Sequence, residues 1–261
     1  MMERMSLGDG CTLAYRLEGA VDAPVLVLSN SLGTDMGMWA PQLDALKAKF
    51  LVLRYDQRGH GASDAPSGGY SIDRLGRDVV ELTEALGIQQ FHFCGLSLGG
   101  MVGQWLGVRE STRLDRLILA NTTAYMGPPS GWDARIEAVL KDGMAPLADA
   151  SIMRWFTPDF VASSPEAISP IVTMLRQTSP VGYAGCCAAI RDMDQRRTAA
   201  LVEVPTLVIG GSADPATPPE HARALTTTIS GAALRMVDAA HLSNVEQPSE
   251  FTAAVLDHLT G

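Results

Sequence analysis

A short strand–turn–helix segment constrains the fold of this chain more than any other feature. Residues 91–103 read FHFCGLSLGGMVG, in which an apolar strand runs directly into Gly95-x-Ser97-x-Gly99 and then into a helical pattern. Such a serine sits in a tight, strained turn, and a side chain two positions before or after it would collide with the neighbouring strand or helix. The turn lifts the hydroxyl to the positive end of the following helix. The bare motif is common by chance, but in this context it indicates a nucleophilic serine.

Apolar runs alternate with helical patterns over most of the chain. Five runs are predominantly apolar, as expected of parallel strands that helices cover on both faces of a sheet. They lie at 24–29, 50–55, 91–94, 114–120 and 205–210. Residues 12–17 alternate polar and apolar side chains, which predicts an antiparallel strand near the sheet edge. A helix is predicted to begin after the capping residue Ser71 and to end at Gly87. The alternation indicates an α/β fold with a doubly wound sheet.

The alternation stops between 125 and 196. This segment contains helical patterns at 132–140, 145–155, 165–177 and 183–192, interrupted by seven prolines, and it contains no convincing strand. We therefore predict a core formed by 1–124 and 197–261, with 125–196 as an inserted all-helical cap (lid). The cap is expected over the carboxyl edge of the sheet, where ligands bind in open α/β folds.

A serine needs a neighbouring base to take its proton, and five histidines are available. His241 follows the predicted last strand, where a loop can bring it over Ser97, and we predict that it is the base. His92 lies within the strand that leads to Ser97 and is predicted to be a packed or edge residue. His221 and His258 fall on helical patterns that are predicted to be exposed.

The acid that orients the histidine is predicted to be Asp214, in the loop after the strand at 205–210. It would accept the imidazole N–H, fix the tautomer and stabilise the imidazolium. A turn or helix-start aspartate is the alternative, which the flanking prolines would also suit. The chain order Ser97, Asp214, His241 favours the catalytic interpretation.

An oxyanion hole requires two backbone N–H groups aimed at the developing negative charge. Leu98, directly after Ser97, would supply one. The second should come from the loop after the strand at 24–29, and we assign it to Leu32.

Charge and composition exclude some functions. The formal net charge of −9 argues against a nucleic-acid partner, which would require clustered Lys and Arg. No apolar run approaches the ~20 residues of a membrane helix, and the first residues lack a leader pattern. The four cysteines, at positions 11, 94, 186 and 187, have neither disulfide nor zinc spacing, and four reduced thiols in a cytoplasmic protein are expected. No metal site is predicted, and the sequence makes no prediction of oligomeric state.

Four motifs together resemble the α/β-hydrolase superfamily across nearly the whole chain. They are DQRGHGAS (56–63), GLSLGG (95–100), GSADPATP (211–218) and HLSNVEQP (241–248). More narrowly, NSLGTDMGMW (30–39) and RWFTPDF (154–160) resemble 3-oxoadipate enol-lactonases. Many superfamily members carry His-Gly in the oxyanion loop where this chain has Asn30-Ser31, which agrees with the lactonase-like pattern. Segment 56–63 is predicted to be a structural turn rather than a catalytic feature.

The resemblance implies a mostly parallel eight-stranded sheet and hydrolysis of 3-oxoadipate enol-lactone to 3-oxoadipate, in the catabolism of aromatic compounds, without a metal or organic cofactor. The substrate would be a small anionic lactone, whose carboxylate calls for a cation or several hydrogen-bond donors under the cap. Arg154, in an apolar run, is the first candidate, with Arg135 as a substitute; an arginine packed along Trp155 is the alternative. Trp132 and Trp155 would wall the pocket, unless they only form the core of the cap.

Other functions share these motifs. A different carboxylesterase, lactonase or C–C bond hydrolase would use the same three residues, whereas haloalkane dehalogenation requires a carboxylate where this chain has Ser97. A small-molecule receptor with a hydrolase fold is an alternative of another class, supported only by fold analogy. Rapid turnover would disfavour it.

Overall fold

The computed structural model describes residues 1–261, and its eight strands form one sheet. The strands are β1 (Glu3–Ser6), β2 (Thr12–Glu18), β3 (Val25–Ser29), β4 (Leu51–Tyr55), β5 (Phe91–Leu96), β6 (Leu114–Ala120), β7 (Thr206–Gly211) and β8 (Ala233–Val237). Their spatial order is β1-β2-β4-β3-β5-β6-β7-β8. Only the β1–β2 and β2–β4 pairs are antiparallel, so the predicted mostly parallel eight-stranded sheet is confirmed.

The chain contains eleven α-helices, five of which lie between β6 and β7. They are α1 (Ala40–Lys47), α2 (Ile72–Ala85), α3 (Leu98–Arg109), α4 (Pro129–Asp142), α5 (Ala145–Trp155), α6 (Pro158–Ser163), α7 (Pro165–Gln177), α8 (Pro180–Asp192), α9 (Pro219–Thr228), α10 (Ser243–Glu246) and α11 (Pro248–Thr260). Two 3₁₀ helices span Met36–Trp39 and Thr198–Leu201. The helix expected after Ser71 is α2: the Ser71 side chain accepts the Arg74 N–H, and the chain turns at Gly87 with a φ of 71°.

The inserted segment between β6 and β7 contains α4 to α8, which together we term the cap. Its two ends lie side by side, because Tyr125 pairs with Asp194 and the Gln195 N–H donates to the Ala124 carbonyl at 2.8 Å. Helix α6 was not among the helical patterns identified in the sequence. Most of the prolines that interrupt those patterns stand at the first or second position of a helix, as in α4, α6, α7 and α8. Proline is tolerated there because the first N–H groups of a helix have no acceptor within the helix.

One hydrophobic cluster extends from the sheet into the cap. It includes Val27 and Phe93 of the sheet together with Ile152, Trp155 and Tyr183 of the cap. The cap therefore packs on the core and has no separate one. The four cysteines are buried and unpaired, and no helix has the length and apolar character required to cross a bilayer.

The sheet brings the ends of its parallel strands to one edge. Strand β3 ends beside β5, where Ser29 pairs with Gly95, and β5 ends beside β6, where Leu96 pairs with Ala120. Strands β7 and β8 continue this edge. Loops that leave the carboxyl ends of different strands therefore meet at one place, which is where ligands bind in such sheets.

Candidate active site

Ser97 stands in the strained turn between β5 and α3. Its φ and ψ are 57° and −113°, and only one other non-glycine residue has a positive φ. A Cβ added at Gly95 would come within 2.1 Å of the Gly99 carbonyl oxygen, and one added at Gly99 within 2.1 Å of the Ser29 carbonyl oxygen. Both glycines are thus required by the close approach of backbone to backbone, as the motif predicts. Strain of this kind persists only where the surrounding structure holds it.

The structure brings Ser97, His241 and Asp214 into one hydrogen-bonded chain. His241 Nε2 lies 2.9 Å from Ser97 Oγ, and His241 Nδ1 lies 2.8 Å from Asp214 Oδ2. All three residues are buried. A carboxylate only accepts, so the Nδ1 proton faces Asp214 and the Nε2 lone pair faces the serine hydroxyl. The arrangement can take a proton from Ser97.

Hydrogen bonds hold the Asp214 carboxylate from several sides. Its Oδ1 accepts the Ala216 and Thr217 N–H groups at 2.8 and 2.9 Å. Its Oδ2 accepts the Thr217 hydroxyl at 2.7 Å and the Asn121 amide at 3.1 Å, besides His241. Burial raises the pKa of Asp214, but the His241 charge and these hydrogen bonds outweigh burial and lower the pKa to about 2. Asp214 is therefore ionised at neutral pH.

Asn121 was not identified from the sequence, although it links two parts of the site. It follows β6 with a φ of 44°, and its amide also donates to the Ala240 carbonyl at 3.2 Å. Its carbonyl accepts the Ser243 hydroxyl at 2.6 Å. A polar residue directly after a parallel strand was the available signal, since that position lies at the ligand-binding edge. Thr217, within the Asp214 motif, was also missed.

The turn 31–34 contains a single backbone N–H without an acceptor in the protein. The N–H groups of Ser31, Gly33 and Thr34 all donate to other atoms of the protein. That of Leu32 donates to none, and Leu32 lines the same cavity as Ser97. Leu98 is the first residue of α3, so its N–H has no acceptor within the helix. These are the two N–H groups that the sequence predicted for an oxyanion hole.

A cavity of about 260 Å³ lies between the sheet edge and the cap. Ser97 and His241 form its base, and all four cap residues singled out from the sequence line its walls: Trp132, Arg135, Arg154 and Trp155. The two tryptophans differ, because Trp155 is buried in the continuous core whereas Trp132 is only half-buried. The structure thus brings together every residue proposed for the site.

Both cavity arginines lack a carboxylate partner. No salt bridge involves either of them, whereas nine other arginines of the chain pair with acidic side chains. Arg135 donates to the Tyr183 hydroxyl at 3.1 Å. Burial raises the pKa of Tyr183 to about 12, so this hydroxyl keeps its proton. Two guanidinium groups without a carboxylate partner make this part of the cavity suited to an anion.

Glu246 joins the His241 loop to the cap. Its carboxylate accepts the Ala240 N–H at 2.9 Å, and it accepts both the N–H and the hydroxyl of Thr157, just after α5. The Leu242 N–H donates to the Trp155 carbonyl at 3.0 Å. The loop that carries the base is therefore hydrogen-bonded to the helix that carries Arg154 and Trp155.

The remaining histidines lie outside the cavity. His92 is buried in β5, as predicted. His221 and His258 are half-buried rather than exposed: His221 Nδ1 lies 2.5 Å from the Thr123 hydroxyl and His258 Nε2 lies 3.2 Å from the Pro205 carbonyl oxygen. The prediction of exposure was wrong because the helical pattern does not reveal these tertiary partners. No group of three or more His, Cys, Asp or Glu side chains is arranged to hold a metal.

Both the sequence and the structure of this chain are similar to those of known proteins. Residues 24–248 match the model of the alpha/beta hydrolase fold family. The chain is 43% identical to 3-oxoadipate enol-lactonase 2 of Acinetobacter baylyi over 93% of this chain and 91% of that protein. The crystal structure of the enol-lactonase from Burkholderia xenovorans is similar with a TM-score of 0.97 at 44% identity, covering 99% and 100% of the two chains. A hydrolase from Pseudomonas aeruginosa has a TM-score of 0.97 at 47% identity, with 100% and 98% covered.

Proposed function

Because this chain belongs to the α/β-hydrolase family and is a hydrolase, we propose that it hydrolyses 3-oxoadipate enol-lactone to 3-oxoadipate in the catabolism of aromatic compounds. The observation that carries the proposal is the position of two unpaired arginines, Arg135 and Arg154, in the cavity that contains Ser97 and His241. A nucleophilic serine suits any ester, whereas the cations favour an ester that carries a carboxylate. Enol-lactonases are also among the similar proteins.

The first half of the reaction opens the lactone. Ser97 Oγ attacks the ring carbonyl while His241 Nε2 takes the serine proton, and Asp214 stabilises the resulting imidazolium. The Leu32 and Leu98 N–H groups donate to the oxyanion of the tetrahedral intermediate. When the intermediate collapses, the bond between the carbonyl carbon and the ring oxygen breaks, and His241 returns the proton to the enol oxygen. The enol tautomerises to a ketone while the acyl group remains on Ser97.

The second half releases the acyl group. A water molecule gives its proton to His241 and bonds to the acyl carbon, and the same two N–H groups hold the second oxyanion. The bond from the acyl carbon to Ser97 Oγ then breaks, and Ser97 recovers its proton from His241. One water is consumed and one dicarboxylate leaves.

The cap supplies the recognition in this proposal. We divide the chain into a core, 1–124 and 197–261, that performs the acyl chemistry and a cap, 125–196, that selects the substrate. Arg154 and Arg135 hold the carboxylate of the lactone, and Trp132 and Trp155 wall the cavity around its ring. An apolar wall strengthens the arginine–carboxylate attraction, because it lowers the local dielectric constant.

The proposal is tested by comparing two substrates of the purified protein. We expect kcat/KM on 3-oxoadipate enol-lactone of about 10⁴ M⁻¹s⁻¹ or more, in the usual range of enzymes, and far above that on p-nitrophenyl butyrate, a neutral ester. Ser97→Ala should remove both activities. If the neutral ester is the better substrate, the protein is a different carboxylesterase; if neither is turned over, the receptor alternative replaces the proposal.

A further inference from the structure

His60 contacts the loop that follows β3, residues 30–36, which contains Leu32 and which we term the oxyanion loop. Its Nε2 lies 2.9 Å from the backbone nitrogen of Gly33, the residue after Leu32. The imidazole is 1% exposed and is not part of the cavity wall, so it touches neither the substrate space nor solvent. The sequence predicts that its segment, 56–63, is a structural turn rather than a catalytic feature.

The tautomer of His60 follows from its two partners. A backbone N–H can only donate, so Nε2 accepts from Gly33 and carries no proton. The proton therefore resides on Nδ1, which lies 3.3 Å from the Arg58 carbonyl oxygen. Burial lowers the pKa of His60 to about 4, against the opposing effect of that carbonyl. The imidazole is neutral at physiological pH and available as an acceptor.

Rigid surroundings hold this acceptor in place. The Arg58 guanidinium forms two hydrogen bonds of 2.6 Å with the buried carboxylate of Asp78 on α2. Such a bidentate pair fixes both position and orientation. The turn that carries His60 is therefore anchored to α2 through the Arg58 side chain.

The same turn holds the oxyanion loop at two further points. Asp56 Oδ1 accepts the Met36 N–H at 2.7 Å, and the Gln57 amide donates to the Asn30 carbonyl at 2.7 Å. These contacts lie at the two ends of the loop. His60 is the one that reaches its middle, next to the Leu32 N–H that has no partner in the protein.

We propose that His60 is a positioning residue of the oxyanion hole, which orients the Leu32 N–H through its hydrogen bond to Gly33. This inference rests on the proposed role of Ser97 as nucleophile, but not on the identity of the substrate. The Gly33 N–H and the Leu32 carbonyl share one rigid peptide plane. The Leu32 N–H belongs to the preceding plane, whose Ser31 carbonyl accepts hydrogen bonds from Thr34, and the two planes meet at the Leu32 Cα. If the Gly33 N–H loses its acceptor, its plane can rotate and shift that Cα, which displaces the Leu32 N–H. A small misplacement of an oxyanion donor is costly, because the donor must meet the charge that develops in the transition state.

The test compares two amide side chains at position 60, Gln and Asn, which differ only in length. His60→Gln places a carbonyl oxygen near the position of Nε2, whereas the shorter side chain of His60→Asn reaches only the position of Nδ1. His60→Leu removes the acceptor altogether. We expect Asn and Leu to lower kcat on the order of 10- to 100-fold with KM almost unchanged, and Gln to recover most of that loss.

A transition-state analogue separates positioning from packing. An alkyl trifluoromethyl ketone forms a tetrahedral adduct with Ser97, so its affinity should fall in parallel with kcat in the Asn and Leu variants. His92→Leu, which removes another buried histidine outside the cavity, should retain wild-type kcat. All variants are also assayed with p-nitrophenyl acetate. If the lactone is not the substrate, kcat on this ester still measures the effect of His60 on the oxyanion hole.

Three results would overturn the proposal. They are wild-type kcat in both the Asn and Leu variants, equal losses in Asn and Gln, and an increase in KM that accounts for the whole effect. If His60→Leu fails to fold, the Asn and Gln pair decides the question alone.

Discussion

At the scale of single residues, the two arginines of the cavity are held to different degrees. Arg135 donates to Tyr183, and its guanidinium lies 5.3 Å from the centre of the Trp132 ring. Arg154 has no hydrogen bond or salt bridge to another side chain and is exposed, which leaves all of its donors available. A pre-oriented guanidinium loses less conformational entropy on binding than a free one. In the proposed function, Arg135 therefore sets the direction of the carboxylate, and Arg154 closes over it.

The first prediction concerns these side chains. Loss of a hydrogen bond to a charged group costs about 1.5–3 kcal/mol, roughly ten- to a hundredfold in affinity. Arg154→Ala and Arg135→Ala should each raise KM for the lactone by this factor and leave KM for a neutral ester unchanged. Steady-state kinetics on both substrates measure the difference. Arg176→Ala is the control, since Arg176 lies on the cap outside the cavity. An unchanged KM in Arg154→Ala would remove that residue from the carboxylate site.

At the scale of elements, one buried carboxylate connects α5, α10 and the His241 loop. Glu246, the last residue of α10, accepts hydrogen bonds from Ala240 on one side and from Thr157 on the other. The cap is thus fastened to the core beside the base, and not only at the ends of the insertion. The segment that follows α5 is therefore linked through Glu246 to the residue that precedes His241.

Substitution of Glu246 by Gln tests this connection. The amide nitrogen of the Gln side chain is a donor and would face the Ala240 or Thr157 N–H, which is also a donor. The two groups cannot pair, and a buried unpaired group costs about 1–3 kcal/mol. We expect Glu246→Gln to lower the free energy of unfolding in urea by this amount and to reduce kcat, because the His241 loop loses its support. Thr157→Val removes only the hydroxyl contact and should leave kcat close to wild type. Equal kcat losses in the two variants would show that Glu246 acts only on the cap.

At the scale of the whole molecule, two buried groups behind the oxyanion loop respond to pH in opposite directions. Burial lowers the pKa of His60 from 6.5 to about 4. The unfolded chain therefore binds a proton in this range that the folded protein does not, and stability is lost as pH falls. Burial raises the pKa of Asp56 from 3.8 to about 6, although the Ala62 and Met36 N–H groups oppose it. The folded protein keeps a proton there that the unfolded chain has released, so this contribution is lost as pH rises.

The comparison of wild type with His60→Gln isolates the histidine. The Asp56 contribution is common to both proteins and cancels in the difference between their free energies of unfolding. Between about pH 4 and 6.5, the wild type should gain stability relative to the variant as pH rises, with a slope of up to about 1.4 kcal/mol per pH unit. Above pH 6.5 the difference should be constant. Urea titrations across pH 4.5–8 measure it, and parallel curves for the two proteins would contradict a buried neutral His60.

Local patterns in the sequence determined the main elements of the fold and the residues of the hydrogen-bonded chain. The strand–turn–helix at Ser97 could be predicted because its glycines obey short-range steric rules, and the apolar runs because buried parallel strands lack polar positions. Asp214 and His241 could be placed because each follows a strand in the expected order. Their catalytic roles stay predictions.

Only the tertiary structure decided what supports these residues. The hydrogen bonds of His60 to Gly33, of Asn121 to Asp214 and of Glu246 to Thr157 join positions 27, 93 and 89 residues apart. Polar side chains in loops follow no period, so no pattern indicates which backbone group each will meet. The sequence pattern also did not show that several prolines begin helices rather than interrupt them. Periodicity and steric limits act between neighbours in the chain, whereas these contacts depend on how the sheet, the loops and the cap pack together.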